Sequence, residues 1–315
     1  TATGRYDGSS VLSEGNKWDF FPSASLGWKV NEENFLKEVS WIEQLKLRAG
    51  IGTVGNQAVD PYGTAGGLVA TQYLFGSTPA KGFVTGDPKG TNTGSIPNKD
   101  LGWEKTKQLN FGVDFGFLNG RITGSVDYYI ADTFDILLDK APNSVTGYGN
   151  ITINAGKTRN KGVELQLSTI NVENKDFRWT SDITFTQNKT EIVSLVNGKV
   201  DDIVNNRFIG QPISIRYDYK KIGIWQTEDA AEMAIYNSNG STYKAGDIRV
   251  EDVNNDGRID ANNDRQIIGQ YDPKWTAGFI NTFNYKNFEL SAFIFTRWGQ
   301  IVNGGAAELS GQFVE

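Results

Sequence analysis

The run Asp252-Val253-Asn254-Asn255-Asp256-Gly257-Arg258-Ile259-Asp260 places oxygen-bearing side chains at alternate positions around one glycine. Hard divalent cations take carboxylate, amide and main-chain oxygens, and calcium loops of the EF-hand type space their donors in this way, with glycine at the sharp turn. Asp252, Asn254, Asp256 and Asp260 are the candidate side-chain ligands, and Arg258 holds the position from which such loops offer a main-chain carbonyl. Asn263 stands where the closing bidentate acid belongs, and Asp264 follows one residue later. Asp264 is therefore expected to close a slightly longer loop around a structural Ca²⁺. The same string also reads as an Asx-rich turn without metal.

Other chemistry is sparse. The chain holds no Cys and no His, which removes Ser-His and Cys-His nucleophilic sites and zinc sites ligated by those residues. Asp201/Asp202 and Glu228/Asp229 are adjacent acids in polar surroundings, and neither has an apolar setting that would separate two pKa values for acid and base roles. The Gly52 to Asn56 stretch lacks the Lys-Ser/Thr of a phosphate loop and reads as the end of a strand. Trp103, Trp225 and Tyr148 are placed either to stack on sugar rings or to cover neighbouring loops. No catalytic residue is expected, and the chain is not read as an enzyme.

Alternation supplies the elements that must position these groups. From Leu109 to Phe117 apolar residues occupy every second place, with Asn110, Gly112, Asp114 and Gly116 between them. That pattern is a strand with one apolar face. Leu118-Asn119-Gly120 then signals a tight hairpin into Ile122, Val126, Tyr128 and Ile130. Similar runs are Ala24 to Val30, Leu45 to Ile51, Val163 to Leu167, Trp179 to Phe185, Trp275 to Phe279 and Phe288 to Ile294. About eight strands of about ten residues each are expected, the length of a tilted membrane-spanning strand.

Short links near Glu32 to Glu38, Leu118 to Gly120, Val172 to Asp176 and Lys286-Asn287 alternate with long ones at 54–105, 133–157 and 192–272. All short links then fall at one end of the strands. Outer-membrane barrels sort their connections so, with short periplasmic turns and long extracellular loops. The longest link carries one expected helix, Glu228 to Ile235, capped by Thr227. Aromatic residues crowd strand ends, with Phe20/Phe21, Trp28, Trp41, Tyr128/Tyr129, Trp179, Trp275, Tyr285/Phe288 and Trp298 as girdle candidates.

Composition agrees with this class. The 315 residues are 38% hydrophobic and 12% aromatic, with 36 Gly and 8 Pro, and the mean hydropathy is −0.42. No apolar run is long enough for a spanning helix, whereas a barrel strand can be polar at every second residue. A net charge of −6 and a pI near 5.0 argue against nucleic acid as a partner. The chain starts at Thr1 without a signal peptide and stops in a Gly-rich stretch, so it reads as a fragment.

Several phrases resemble one family, the SusC/RagA-like, TonB-linked (TonB-dependent) outer-membrane transporters. They are FPSASLGWKV, LKLRAGIGTVGNQ, LGWEKTKQLNFGVDFGFLNGRITGSVDYY, NKGVELQL, GIWQ and AGDIRVEDVNNDGRIDANNDRQIIGQYDPKWTAGFINTFNYKNFEL. One departure is the extra residue in DANND, ahead of the acid that closes the family's shorter loop. The resemblance implies a large barrel of about 22 strands with a plugged lumen. Residues 1–315 would supply part of one barrel domain, a partial antiparallel transmembrane β-barrel of the all-β class, with an extracellular insertion at about 192–272. The plug domain and the final strands would lie elsewhere. It implies import of glycans, oligosaccharides or peptides across the bacterial outer membrane, powered through TonB and assisted by a SusD-like surface lipoprotein. Outer-membrane lipid would be the surrounding partner. The rival readings are a non-transporting barrel serving as adhesin or scaffold, and a soluble carbohydrate-binding β-protein.

Overall fold

The computed structural model describes residues 1–59, 63–65, 69–75, 78–84, 96–140, 142–146, 148 and 151–302, with side chains between 66 and 95 left aside. Its principal element is a nine-stranded antiparallel sheet in which each strand neighbours the next one to cross it. The strands are β1 (Ala2–Gly8), β2 (Trp18–Lys29), β3 (Ile42–Asn56), β6 (Glu104–Phe117), β7 (Ile122–Phe134), β10 (Lys157–Glu173), β11 (Phe177–Ser194), β16 (Trp275–Tyr285) and β17 (Phe288–Trp298). Eight of them are the expected ones. β1 is an addition, paired along its length with β2 from Ala2/Ala24 to Gly8/Trp18.

Links 30–41, 118–121, 174–176 and 286–287 lie at one end of the sheet, and 9–17, 57–103, 135–156 and 195–274 at the other. The tight β6–β7 hairpin holds Leu118, Asn119 and Gly120 at φ 57°, 58° and 72°. Left-handed backbone is cheap at Gly and tolerated at Asn, which is what the sequence supplies there. The long links contain small hairpins: β4 (Val69–Phe75) with β5 (Thr78–Val84), and β8 (Leu137–Lys140) with β9 (Ile151–Asn154). In the longest, β12 (Ile215–Tyr219) pairs with β15 (Arg265–Gln270), and β13 (Lys221–Ile224) with β14 (Ile248–Val250).

Register puts the apolar alternation on one face throughout. Ile51 lies opposite Leu109, Leu109 opposite Ile130, Leu165 opposite Phe185, and Phe279 opposite Ile294. This outer face is exposed: Leu26 is 74% accessible, Phe288 78% and Leu290 67%. Among the described residues no second layer covers it, so the apolar faces do not meet as a two-sheet soluble sandwich would require.

Aromatic side chains mark both margins of the face. Tyr6 stacks on Trp18 and Trp275 on Trp298 at the long-loop end, and Trp41 meets Phe117 and Trp179 stacks on Phe283 at the short-turn end. Two girdle candidates are misplaced. Phe21 is buried with Leu12 and Trp103, and Tyr129 faces the polar side, where its hydroxyl donates to Asn188 Oδ1 at 3.1 Å.

Candidate functional site: the polar wall and the insertion at its rim

The face opposite the apolar one carries the polar side chains that are candidates for contact with a solute. Gly112 lies between Arg48 of β3 and Asp127 of β7 in adjacent strands, and a Cβ there would stand 2.6 Å from Arg48 Cζ and 2.5 Å from Asp127 Oδ1. Its missing side chain is the space that the guanidinium fills. Arg48 donates from Nε and Nη2 to Asp114 at 2.8 to 3.0 Å, and from Nη2 to Asp127 at 2.9 Å. One cation is thus held by two acids, a net negative point on a hydrogen-bonding wall. The wall continues through Tyr129 and Asn188, Asn160 and Thr190, and Ser168 and Asp182. Such a surface offers hydroxyl, amide and charge-assisted contacts to a polar solute.

At the long-loop end β11 runs on past its last pairing with β16, Thr186 with Thr276. The gap is a cavity of about 560 Å³ whose lining includes Thr186, Asn188, Gln211, Gln270, Asp272 and Trp275. Above it stands the insertion. Its centre is Trp225, 2% exposed, packed against Tyr236 and Tyr243 with the Arg249 guanidinium 4.5 Å over its ring. Arg249 also pairs with Glu232 at 2.5 Å.

The helix α1 (Ala230–Ser238) starts later than expected, because Thr227–Asp229 forms a short 3₁₀ turn capped by Gln226 and not by Thr227. Asp229 bonds back to the Gln226 N–H, so a capping box accounts for this acid. Asp202 receives Asn205 and Asp201 receives the Ile209 N–H, which gives both acids structural work. Trp103 and Trp225 are buried among loop residues and cover neighbouring loops, so they are not free to stack on a solute.

The acidic loop follows β14. Gly257 has φ 74°, the turn that glycine was expected to make. Asp252 accepts the Gly257 N–H at 2.8 Å, and Asp256 accepts the Arg258 N–H at 2.9 Å and Asn254 Nδ2 at 2.8 Å. Asp264 is fully buried and accepts the N–H groups of Val253 and Asp260 at 2.9 and 2.7 Å, which ties the two ends of the loop together. Asp260 accepts from Asn262, Asn263 and the Asn263 side chain. The main-chain bond from Asn262 leads in holding its carboxyl below the ordinary aspartate value. Among the described residues no three acidic side chains converge as a ligand shell. Helix α1 braces the loop, since Asn239 Nδ2 donates to the Gly257 carbonyl at 3.0 Å. Burial raises the Tyr236 hydroxyl above its usual value, and nearby Asp252 adds to this.

The inner-face pair Phe293 and Phe295 on β17 was not legible in advance, because alternation selected Phe288, Leu290, Ala292 and Ile294 and left the intervening residues as polar by default.

An antiparallel arc with an unshielded apolar outer face, aromatic margins, a polar inner face and sorted loops defines part of the wall of an outer-membrane β-barrel. The family model for the TonB dependent receptor-like β-barrel matches residues 1–309, and the chain belongs to that family. It is 33% identical over 302 residues to TonB-dependent receptor P26 of Formosa agariphila, covering 93% of this chain and 29% of that protein. To TonB-dependent receptor SusC of Bacteroides thetaiotaomicron it is 35% identical over 299 residues, 92% of this chain and 28% of the relative. In structure it is similar to a chain of the RagAB peptide importer in its open-open state, with TM-score 0.76 and 24% identity over 95% of this chain and 30% of that one. The chain thus spans about 30% of the length of the relatives it matches. Its place is the outer membrane.

Proposed function

We propose that the whole protein imports large polar nutrients, glycans, oligosaccharides or peptides, across the outer membrane. The two-faced wall carries this reading: apolar side chains meet lipid, and an inner face of hydroxyls, amides and Arg48 held by Asp114 and Asp127 lines a passage. Extracellular loops, the insertion at about 192–272 first among them, would capture the solute. A plug domain and further strands from outside residues 1–315 would complete the barrel. β1 and β17 each present an unpaired edge among the described residues, and lipid cannot satisfy such edges.

TonB would supply energy through the plug, and a SusD-like lipoprotein would cover the loops. The RagAB relative is a peptide importer, which supports the peptide half of the substrate class. No catalysis is assigned. A structural Ca²⁺ in the loop from Asp252 to Asp264 belongs to the same proposal, supported by the spacing of Asp252, Asn254, Asp256, Arg258 and Asp260 and by the closing role of buried Asp264.

The test is deletion of the gene in its host, followed by growth on single glycans and on peptides as sole nutrient. Loss of growth on one class, restored by the gene but not in a strain lacking TonB, supports import and names the class. Unchanged growth and unchanged uptake of labelled glycans and peptides, with loss of surface adhesion, would replace import by an adhesin role.

A further inference from the structure

Toward the long-loop end of the apolar band, the outer faces of β6, β10 and β11 turn basic, with Ile130 and Asp132 of β7 between them. On β6 the outward row from Phe117 to Leu109 is continued by Lys107. On β10 the row Leu167, Leu165, Val163 is continued by Lys161 and Arg159, and on β11 the row that holds Ile183 and Phe185 reaches Lys189. Register sets them side by side: Lys161 lies opposite both Ile130 and Lys189, while Arg159 lies opposite both Asp132 and Glu191.

Acids are too few to neutralise this patch. Asp132 is taken up by Arg159, at 2.6 and 2.9 Å, and by Lys157 at 2.9 Å, and Glu191 stands 3.8 Å from Lys189. Among the described residues Lys107 and Lys161 form no ion pair. Directly opposed like charges repel across a sheet, and the Lys161/Lys189 pair does so in a chain whose net charge is −6. The excess is therefore local. One alternate step along a strand is about 7 Å, so Lys161 and Lys189 sit one step above Val163 and level with Ile130 and Leu109, while Lys107 sits one step above Leu109, the last apolar residue of its row, opposite Asp132. That is head-group height, where long basic side chains lay their stems on apolar surface and extend the charge outward. Strand parity keeps them off the inner wall, so a solute in the passage does not meet them.

We propose that Lys107, Lys161 and Lys189, with Arg159 beside them, form a docking surface for phosphorylated head groups of lipid in the outer leaflet. The apolar rows below hold the acyl chains, and the lysines hold the phosphates.

The full-length protein is reconstituted in discs of phosphatidylcholine alone and of phosphatidylcholine with lipid A, and lipid A retained through detergent exchange is measured by native mass spectrometry. Retention is expected in the unaltered protein and is expected to fall as salt is raised. Lys107→Gln, Lys161→Gln and Lys189→Gln should each weaken it roughly five-fold, whereas Lys29→Gln at the opposite end of the wall should not. Equal retention by a variant carrying all three changes overturns the proposal, and so does displacement by millimolar inorganic phosphate, which would reveal a generic anion site. Should the triple variant fail to insert, single Lys161→Gln decides, and retention equal to that of the unaltered protein overturns the proposal.

Discussion

Trp225→Ala should loosen the insertion between β11 and β16 while leaving the sheet intact. The indole is buried to 2% exposure between Tyr236, Tyr243 and the Arg249 guanidinium. Truncating a tryptophan in a filled site costs about 3–5 kcal/mol. The lower end applies here, because Trp225 Nε1 is buried without an acceptor and its removal relieves that penalty. About 3 kcal/mol corresponds to a roughly 150-fold rise in local opening. Main-chain hydrogen exchange in the full-length protein reads it directly. The N–H groups of Trp225 and Gly246, bonded to the carbonyls of Asp247 and Trp225, should exchange about a hundredfold faster, and those of β7 and β10 should not change. Trp225→Phe keeps most of the apolar ring and discards the unpaired donor, so its effect should stay under about tenfold. Unchanged exchange at Trp225 and Gly246 in the alanine variant would refute the view that this aromatic cluster holds the insertion together.

Three further outcomes follow from the geometry. Arg48→Met leaves Asp114 and Asp127 facing each other over Gly112, and should lower stability to urea by about 2 kcal/mol, between the values for exposed and buried pairs. The triple change Arg48→Met/Asp114→Asn/Asp127→Asn should recover most of that loss, and a triple variant as weak as the single would show that charge is not the cause. If the acidic loop takes Ca²⁺, adding it should protect residues 251–264 from protease, and Asp264→Ala should abolish that protection along with the tie to Val253 and Asp260. Asp260 is held below its ordinary value by Asn262, and Glu251 below its own by Lys220, so their contribution is present above about pH 4 and lost as pH falls through the depressed values. Hydrogen exchange of the loop, after correction for the intrinsic pH dependence of amide exchange, should therefore be slower at pH 5 than in acid that protonates both carboxyls, and equal corrected rates at the two pH values would refute this.

The eight strands read from alternation were legible because, among the described residues, no second layer covers their outer face, so each must show lipid a largely apolar row of its own. β1 was not legible, since Ala2 to Gly8 carries a single large outward residue, Tyr6. Its outer surface is supplied by its neighbour, where Phe20 lies over Gly4 and Trp18 over Gly8. A strand covered by its partner's rings leaves no periodic mark of its own. Tyr129 and Phe21 failed as girdle residues for a related reason, because each adjoins an aromatic residue of opposite parity and composition alone cannot say which of the two faces out. The insertion's hairpins were beyond reach as well: β12 pairs with β15 across nearly the whole insertion, and local pattern carries no information about such partners.

The Arg48 cluster shows why the polar wall was harder to read than the lipid face. Arg48, Asp114 and Asp127 stand on three strands, separated in sequence by 66 and 79 residues from the arginine, and only register brings them together. What sequence does show is a glycine, Gly112, in the middle of a strand otherwise rich in large residues. Glycine in a strand interior weakens it unless something else needs the space. Here a guanidinium needs it, so an interior glycine in an amphipathic barrel strand, at a polar-face position flanked across the sheet by an arginine and an acid, is the signal by which such wall clusters can be sought.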